Sequence, residues 1–214
     1  MIAVTPSCRI DHIVLACADL AQGAAHVRER LGVEVQPGGR HVLMGTHNAL
    51  LKLGPRTYLE LIAIDPAGSA QRPRWFGLDT VAVRARMAKG PFLLTWVAAC
   101  SDVAAAAALD PGFGEVIAAS RGAFSWRITV PADGSLNFEG VLPTLIQWDG
   151  EAHPAAALPD TGCELVRLDL SHPKADELAA TFIDLGLCGL AQLSAGPVGI
   201  STRIRAPRGP VELR

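Results

Sequence analysis

Apolar residues along the chain follow one order of secondary structure that is repeated. In the first copy, alternating and continuous apolar runs predict strands, and Ala24, Val27 and Leu31 recur at helical spacing. Asp19 is a good N-cap for that helix, since its carboxylate can accept from free backbone N–H groups. The predicted elements are a strand at 10–17, a helix at 19–31, a turn at 37–39, and strands at 33–36, 48–53 and 57–64.

The same order returns twice. Ala99-Cys100-Ser101-Asp102-Val103 repeats Ala16-Cys17-Ala18-Asp19-Leu20 at a shift of 83 residues. The second copy is predicted as a strand at 92–100, a helix at 103–109, and strands at 115–120, 124–130 and 142–148. The third, shorter copy begins at Cys163, with a strand at 164–170, a helix at 174–185 and strands at 198–205 and 210–214.

These repeats predict an α+β fold built from βαβββ modules. One domain is expected at residues 1–154, with modules at about 8–66 and 92–149, and a third, shorter module is expected at 163–214. Segments 65–91 and 149–162, rich in Pro, Gly, Ala and Arg, are expected to be connectors.

Composition narrows the class of protein. Half of the 214 residues are hydrophobic and the formal net charge is −2, which gives no basic surface for nucleic acid and no membrane segment. Residues 1–6 lack the layout of a signal peptide. The five cysteines show no CxxC spacing, so we expect reduced, buried thiols and a cytoplasmic protein.

Two polar residues interrupt strands that otherwise favour burial. His12 lies in Ile10-Asp11-His12-Ile13-Val14-Leu15, and Glu60 lies in Tyr58-Leu59-Glu60-Leu61-Ile62. A buried imidazole and carboxylate need hydrogen bonds, each other, or a metal ion. The pair is therefore a candidate site, and the alternative is a hydrogen-bonded core histidine with a core carboxylate.

The module order, with His in its first strand and Glu in its last, resembles the vicinal oxygen chelate superfamily of glyoxalase-like proteins. The chain is most similar to a bacterial glyoxalase-like group whose first module carries a G-G-R-H…G-T-x-N segment. Here these residues are Gly38-Gly39-Arg40-His41 and Gly45-Thr46-His47-Asn48, followed by Tyr58-Leu59-Glu60-Leu61. The resemblance is strong over 8–66 and weaker to about 154. It implies a curved, cup-shaped mixed sheet of the glyoxalase/bleomycin-resistance/dihydroxybiphenyl-dioxygenase type.

The resemblance also implies a metal site at the first and last strands of paired modules. His12 and Glu60 match two ligand positions, and Glu212 takes the place of Glu60 in the third module. Thr95 falls opposite His12, and Gln147 or Thr144 falls near the equivalent of Glu60. Threonine and glutamine are weak transition-metal ligands, so both a divalent ion (Zn, Ni, Mn or Fe) and no cofactor remain open.

The segment 38–48 concentrates hydrogen-bonding groups at one lip of the expected cup. It is either an ordinary surface loop or a binding loop that presents Arg40, His41, His47 and Asn48 to a small molecule. Trp96, in the first strand of the second module, is expected either in the core or lining the same pocket.

Two functions follow as hypotheses. One is a metal-dependent lyase or isomerase for a small substrate with adjacent oxygens, in which Glu60 moves the proton. Extradiol ring cleavage fits less well because it needs a second histidine where Thr95 stands. The other is a metal-free small-molecule-binding protein. In either case, the third module is expected to pack beside the cup or to complete a homodimer that covers an apolar sheet face.

Overall fold

The fold is that of a computed structural model, which describes residues 7–214. The first module begins with a long central strand and a helix that Asp19 caps by accepting from the backbone N–H of Gln22 at 2.8 Å. Gly32, at φ 73°, ends that helix. Its elements are β1 (Cys8–Ala16), α1 (Leu20–Leu31), β2 (Gln36–His41), β3 (Thr46–Gly54) and β4 (Thr57–Ile64).

The rest of the chain repeats this plan with shorter helices. The second part contains α2 (Val81–Lys89), β5 (Phe92–Cys100), α3 (Val103–Ala107), β6 (Glu115–Arg121), β7 (Phe124–Val130), β8 (Thr144–Trp148) and α4 (Pro154–Ala157). The last part contains β9 (Glu164–His172), α5 (Ala175–Asp184), β10 (Gln192–Ala195), β11 (Gly199–Ala206) and β12 (Gly209–Leu213). The elements α2, α4 and β10 were not predicted, and the segment that forms α2 was expected to be a connector.

The strands form two sheets. Eight strands are ordered β2-β3-β4-β1-β5-β8-β7-β6, so β1 and β5 join the first two copies at an antiparallel seam. This curled α+β sheet confirms the fold class expected from the repeats. The remaining strands form a separate sheet in the order β10-β9-β11-β12. The domain boundaries at 154 and 163 stay a prediction.

Alternation along β1 divides the core into two layers. Val14 lies in a cluster on the inner face of the curled sheet, whereas Ile13 and Leu15 lie in the cluster on the outer face. The outer cluster also includes Leu168 and Ile204 from the four-stranded sheet. The smaller sheet therefore packs on the outside of the curled sheet and leaves the inner face as a cup.

The exposed face of the small sheet is charged and not apolar, so a homodimer is not needed to cover an apolar face. Arg167, Arg203, Arg205 and Glu212 are exposed there. The inner face of this sheet is already covered within the chain. A homodimer stays a prediction without that reason behind it.

The Gly38-Gly39 pair lies inside β2 and not in a turn, which corrects the boundaries predicted for this segment. Neither glycine has a positive φ, and the turn falls later, at Gly45 with φ 56°. A Cβ at Gly38 would collide with Oδ1 of Asn48, and a Cβ at Gly39 would lie 2.8 Å from Cδ of Arg121. The glycines are needed because other groups approach the backbone closely.

The expectation of five reduced thiols is wrong for one pair. β1 and β5 place Cys8 directly opposite Cys100, and the two are joined by a disulfide. Cys17 and Cys163 are buried free thiols, and Cys188 is exposed. The antiparallel neighbours that bring the pair together are 92 residues apart in sequence, so spacing gave no sign of the bond. Because one pair of cysteines is oxidised, the cysteines no longer support a cytoplasmic location, and that location stays a prediction.

None of the helices within residues 7–214 is long and apolar enough to cross a bilayer.

Candidate functional site

His12 and Glu60 face the inner side of the cup from neighbouring strands. β1 and β4 are parallel, and their register places Val14 beside Glu60 and Tyr58 beside His12. Because side chains alternate along a strand, His12 and Glu60 share one face. Nε2 of His12 lies 3.5 Å from Oε2 of Glu60, and each residue is about 5% exposed or less. The ring of Tyr58 stacks on that of His12 with centroids 4.6 Å apart.

A β-bulge brings Asp11 to the same site. The β1–β5 register shifts between Ile10 and His12, which leaves Asp11 as the extra residue. Its fully buried carboxylate accepts from Nδ1 of His12 at 2.7 Å, Nε1 of Trp148 at 2.9 Å and Nε2 of His153 at 3.0 Å. Asp11 therefore fixes the imidazole of His12 from the side away from Glu60.

Asn48 orients Glu60 from the other side. Its Nδ2 donates to Oε1 of Glu60 at 2.5 Å and lies 3.4 Å from Nε2 of His41. Its Oδ1 accepts from the backbone N–H of Gly39 at 3.0 Å. Nδ1 of His41 lies 3.0 Å from Oγ1 of Thr46. Every polar atom of the amide has a partner, so Glu60 has little freedom to rotate.

The two central groups are held in their charged forms. Burial alone would lower the pKa of His12, but its hydrogen bond to Asp11 and the adjacent Glu60 outweigh burial and raise the pKa to about 9. Burial would raise the pKa of Glu60, but the hydrogen bond and charge of His12 lower it to about 2. The hydrogen bonds and charges of His12 and His153 hold the pKa of Asp11 far below its usual range. The site at neutral pH is an imidazolium between two carboxylates.

His41 is electrically different from His12. Burial lowers the pKa of His41 to about 4, and the positive charge of Arg121 acts in the same direction against that of Glu60. Its ring is therefore neutral at pH 7, with Nε2 free to accept from Asn48 and Nδ1–H free to donate to Thr46.

A small cavity, which we name the inner cavity, lies over this network. Its volume is about 20 Å³, enough for one water molecule, and its polar wall contains His12, His41 and Glu60. The indoles of Trp75, Trp126 and Trp148 line it as well, together with Arg121.

An open groove of about 580 Å³, which we name the outer groove, lies between β2, the β6–β7 hairpin and α4. Arg121 lines this groove as well as the inner cavity. The aliphatic part of its side chain lies against Gly39. Arg121 thus separates the buried polar site from the outside of the cup.

Comparison with known proteins agrees with this architecture. A family model described as "Glyoxalase-like domain" matches residues 10–186. The chain belongs to the glyoxalase-like domain family. Its membership in the vicinal oxygen chelate superfamily, expected from the motifs, is confirmed. No curated protein sequence matches the chain.

Solved structures similar to this glyoxalase-like domain share little sequence with it. A hypothetical protein from Staphylococcus aureus is 13% identical, with a TM-score of 0.58 over 96% of this chain and 84% of that chain. Methylmalonyl-CoA epimerase from Mycobacterium tuberculosis is 19% identical, with a TM-score of 0.42 over 70% of this chain and 92% of that chain. Hypothetical protein BH1468 from Bacillus halodurans is 12% identical, with a TM-score of 0.42 over 69% and 97%. At 13% identity, the likeness to the Staphylococcus aureus protein shows the fold alone.

The glyoxalase-like domain does not bring all the predicted residues together. Arg40 lines the outer groove, and its Nε donates to Oδ2 of Asp65 at 2.5 Å. His47 alternates with Asn48 along β3 and therefore faces away from the cup. His12, His41, Asn48 and Glu60 are the predicted residues that meet at the inner cavity or its network.

Two of the candidate site residues lie away from the inner cavity. Trp96 is fully buried on the outer face of the curled sheet, where its Nε1 donates to the carbonyl of Val141 at 2.9 Å and its ring packs near Phe182. Glu212 is on β12 of the small sheet, exposed and paired with Arg214 at 2.6 Å. The register of β5 and the separate small sheet, neither of which the repeat revealed, carry these residues away from His12.

The donor set does not fit a resident metal ion. Within residues 7–214 no three His, Cys, Asp or Glu side chains are grouped to hold one. In the second module, Thr95 donates to the carbonyl of Gly140, and Oε1 of Gln147 accepts from the N–H of Val103. Nδ1 of His12 is already hydrogen-bonded to Asp11, so His12 offers only Nε2 beside the carboxylate of Glu60.

Sequence reasoning missed four residues of the site: Asp11, Arg121, Trp75 and Trp126. The carboxylate of Asp11, directly before His12 in an apolar strand, was a visible sign, since a buried charge needs partners. Arg121 stands beside Gly122 at the end of a predicted strand and looked like an ordinary turn residue. Only the meeting of the two sheet edges at Gly39 shows its position.

Proposed function

We propose that the cup binds a small, oxygen-rich molecule through direct hydrogen bonds from His12 and to Glu60, with no resident metal ion. The observation that supports this most is the fixed imidazolium–carboxylate pair on the wall of the inner cavity. An imidazolium donates to a ligand oxygen, and a carboxylate accepts from a hydroxyl or amine. Such a preorganised pair selects ligands by where their donors and acceptors lie.

Proton transfer by Glu60 is the less favoured role. An efficient general base has a pKa near the working pH, whereas the pKa of Glu60 is held at about 2. The carboxylate is so well stabilised by His12 and Asn48 that taking a proton from a substrate is unfavourable. Binding therefore accounts for the electrostatics better than catalysis does.

The second candidate is a lyase or isomerase that uses a divalent metal. One distance favours it: two ligand atoms on a tetrahedral ion at about 2.1 Å lie about 3.4 Å apart, close to the 3.5 Å between His12 and Glu60. The chain supplies only these two ligands, so a chelating substrate would have to supply others.

Ligand screening with and without metal separates the two candidates. Chelator-treated protein is screened by ligand-observed NMR against small carboxylic acids, diols and hydroxyketones. Binding without metal that is lost in His12→Gln and Glu60→Gln supports the first function. The control is His26→Gln, because His26 is on α1, which packs through Val27 and Leu31 on the outer face of the curled sheet. Binding that appears only after Zn²⁺, Ni²⁺ or Mn²⁺ is added would favour the second candidate, and no binding in either state would refute both.

Oligomeric state and location are separate proposals. We propose that the protein is a homodimer and that it is located in the cytoplasm, as expected from the sequence. Multi-angle light scattering gives the mass directly, and a mass of 22.5 kDa would contradict the dimer.

A further inference from the structure

The walls of the inner cavity carry more hydrogen-bond donors than acceptors. Nε1 of Trp75 and Nε1 of Trp126 are buried and have no hydrogen-bond partner among residues 7–214. Both side chains line the inner cavity, and each residue is 4% exposed. Native proteins rarely leave a buried N–H unpaired, so two at one cavity indicate a partner that the chain does not supply.

The guanidinium of Arg121 adds positive charge at the same place. Within the described part of the chain it makes no ion pair with a carboxylate, unlike Arg72, Arg74 and Arg127. Its stem is held against Gly39, and the residue lines the cavity together with both indoles. A partly buried cation without a counterion suits a ligand that brings a negative charge.

Neither of the two carboxylates at the site accepts a hydrogen bond from the indole of Trp75 or Trp126. Oε1 of Glu60 accepts from Asn48 and its Oε2 faces His12, whereas Asp11 accepts from His12, Trp148 and His153. The unmet need is therefore for an acceptor on the tryptophan side of the cavity.

We infer that Arg121, Trp75 and Trp126 form a subsite for the carboxylate of a small-molecule ligand, which deepens the proposed binding function and rests on it. A carboxylate offers two acceptor oxygens and no donor, which matches a guanidinium and two unpaired indole N–H groups that belong to the lining of one cavity. The remainder of the ligand lies toward the outer groove, which Arg121 also lines and which Phe124 and Leu158 make partly apolar. Entry requires the Arg121 side chain to move, because the closed cavity holds only about 20 Å³.

Indole N–H signals test this subsite directly. In ¹⁵N-labelled protein, phenylacetate and butanoate at millimolar concentration are expected to shift the Nε1–H signals of Trp75 and Trp126. The signal of Trp96 is the internal control, since its N–H group already donates to Val141 on the outer face of the curled sheet. Phenylacetamide and butanamide, matched in shape but neutral, are expected to leave the Trp75 and Trp126 signals in place.

Variants of Arg121 supply the second readout. Arg121→Gln should weaken carboxylate binding by about 10- to 100-fold, the equivalent of one lost hydrogen bond to a charged group. Arg121→Lys, which keeps the charge, should lose less. Arg127→Gln is the matched control, because Arg127 is on the neighbouring strand, exposed and paired with Asp149. The backbone spectrum of each variant shows whether it is folded.

The outcomes separate this subsite from the proposed function. Equal shifts with acids and amides, or unchanged carboxylate affinity in Arg121→Gln, would overturn the subsite and leave small-molecule binding intact. If no acid shifts the Nε1–H signals of Trp75 and Trp126 but another class of compound binds the cup, the subsite is likewise overturned and small-molecule binding is left intact. No binding by any compound would overturn both.

Discussion

Replacing Asp11 with Asn should destabilise the protein more than any change to a surface acid. The carboxylate is fully buried and accepts from three donors, His12, Trp148 and His153, at 2.7 to 3.0 Å. Asparagine has the same shape but only one acceptor oxygen, so its NH₂ group must face at least one of these donors. The substitution also removes the charge that faces the imidazolium.

The magnitude follows from these contacts. Losing a hydrogen bond to a charged group costs about 1.5–3 kcal/mol, and a buried donor left without a partner costs about 1–3 kcal/mol more. The sum agrees with the roughly 3–5 kcal/mol lost when one partner of a buried ion pair is removed. We expect Asp11→Asn to lower the free energy of unfolding by about 4 kcal/mol at neutral pH.

Urea denaturation followed by tryptophan fluorescence and circular dichroism measures this loss. With a slope of about 3 kcal/mol per molar, the midpoint should fall by more than about 1 M. Asp149→Asn is the control, since its exposed pair with Arg127 at 3.7 Å is expected to contribute less than about 1 kcal/mol. If both variants lost the same small amount, Asp11 would not hold the site together as described.

Two further predictions concern the same network. The difference in free energy of unfolding between wild type and Glu60→Gln should be greatest between pH 4.5 and 6.5. It should fall toward acid because the pKa of Glu60 in the folded protein is lowered to about 2, and toward alkali because the pKa of His12 is raised to about 9. A difference that does not change from pH 5 to beyond the pKa of His12 would contradict the pairing. Gly38→Ala should lower the free energy of unfolding by about 1–3 kcal/mol, measured by thermal or urea unfolding, because its Cβ displaces Asn48. Gly196→Ala is the control and should cost much less, since the nearest atom to its added Cβ is 3.6 Å away. Equal losses would show that Asn48 moves freely.

The sequence revealed the modules because strand and helix patterns are local. The strands at 92–100 and 124–130 were predicted with the bounds that the structure has, and Asp19 caps its helix as expected. The helix α2 was missed because Val81–Lys89 is short and mostly exposed, with only Val83 and Met87 buried. The strand β2 was misplaced because a pair of glycines reads as a turn unless the side chains that press on them are known.

The site was only half visible for a related reason. His12 and Glu60 stood out because a polar residue in an apolar strand is a local signal. Asp11 reaches the site through a bulge, and Arg121 reaches it through the approach of two sheet edges. Trp96 and Glu212 were assigned to the cup by analogy between modules, but strand register and sheet membership decide where a side chain lies.

The protonation state of His12 is the central claim, since a cationic ring donates hydrogen bonds from its nitrogens and must lose a proton before it can bind a metal. The direct measurement is a pH titration of the ¹⁵N and ¹³C signals of the His12 ring in metal-free protein. The account predicts both ring nitrogens protonated at pH 7, with a pKa of about 9. A neutral ring at pH 7, titrating below the ordinary value of 6.5 and shifting when Zn²⁺ is added, would contradict it.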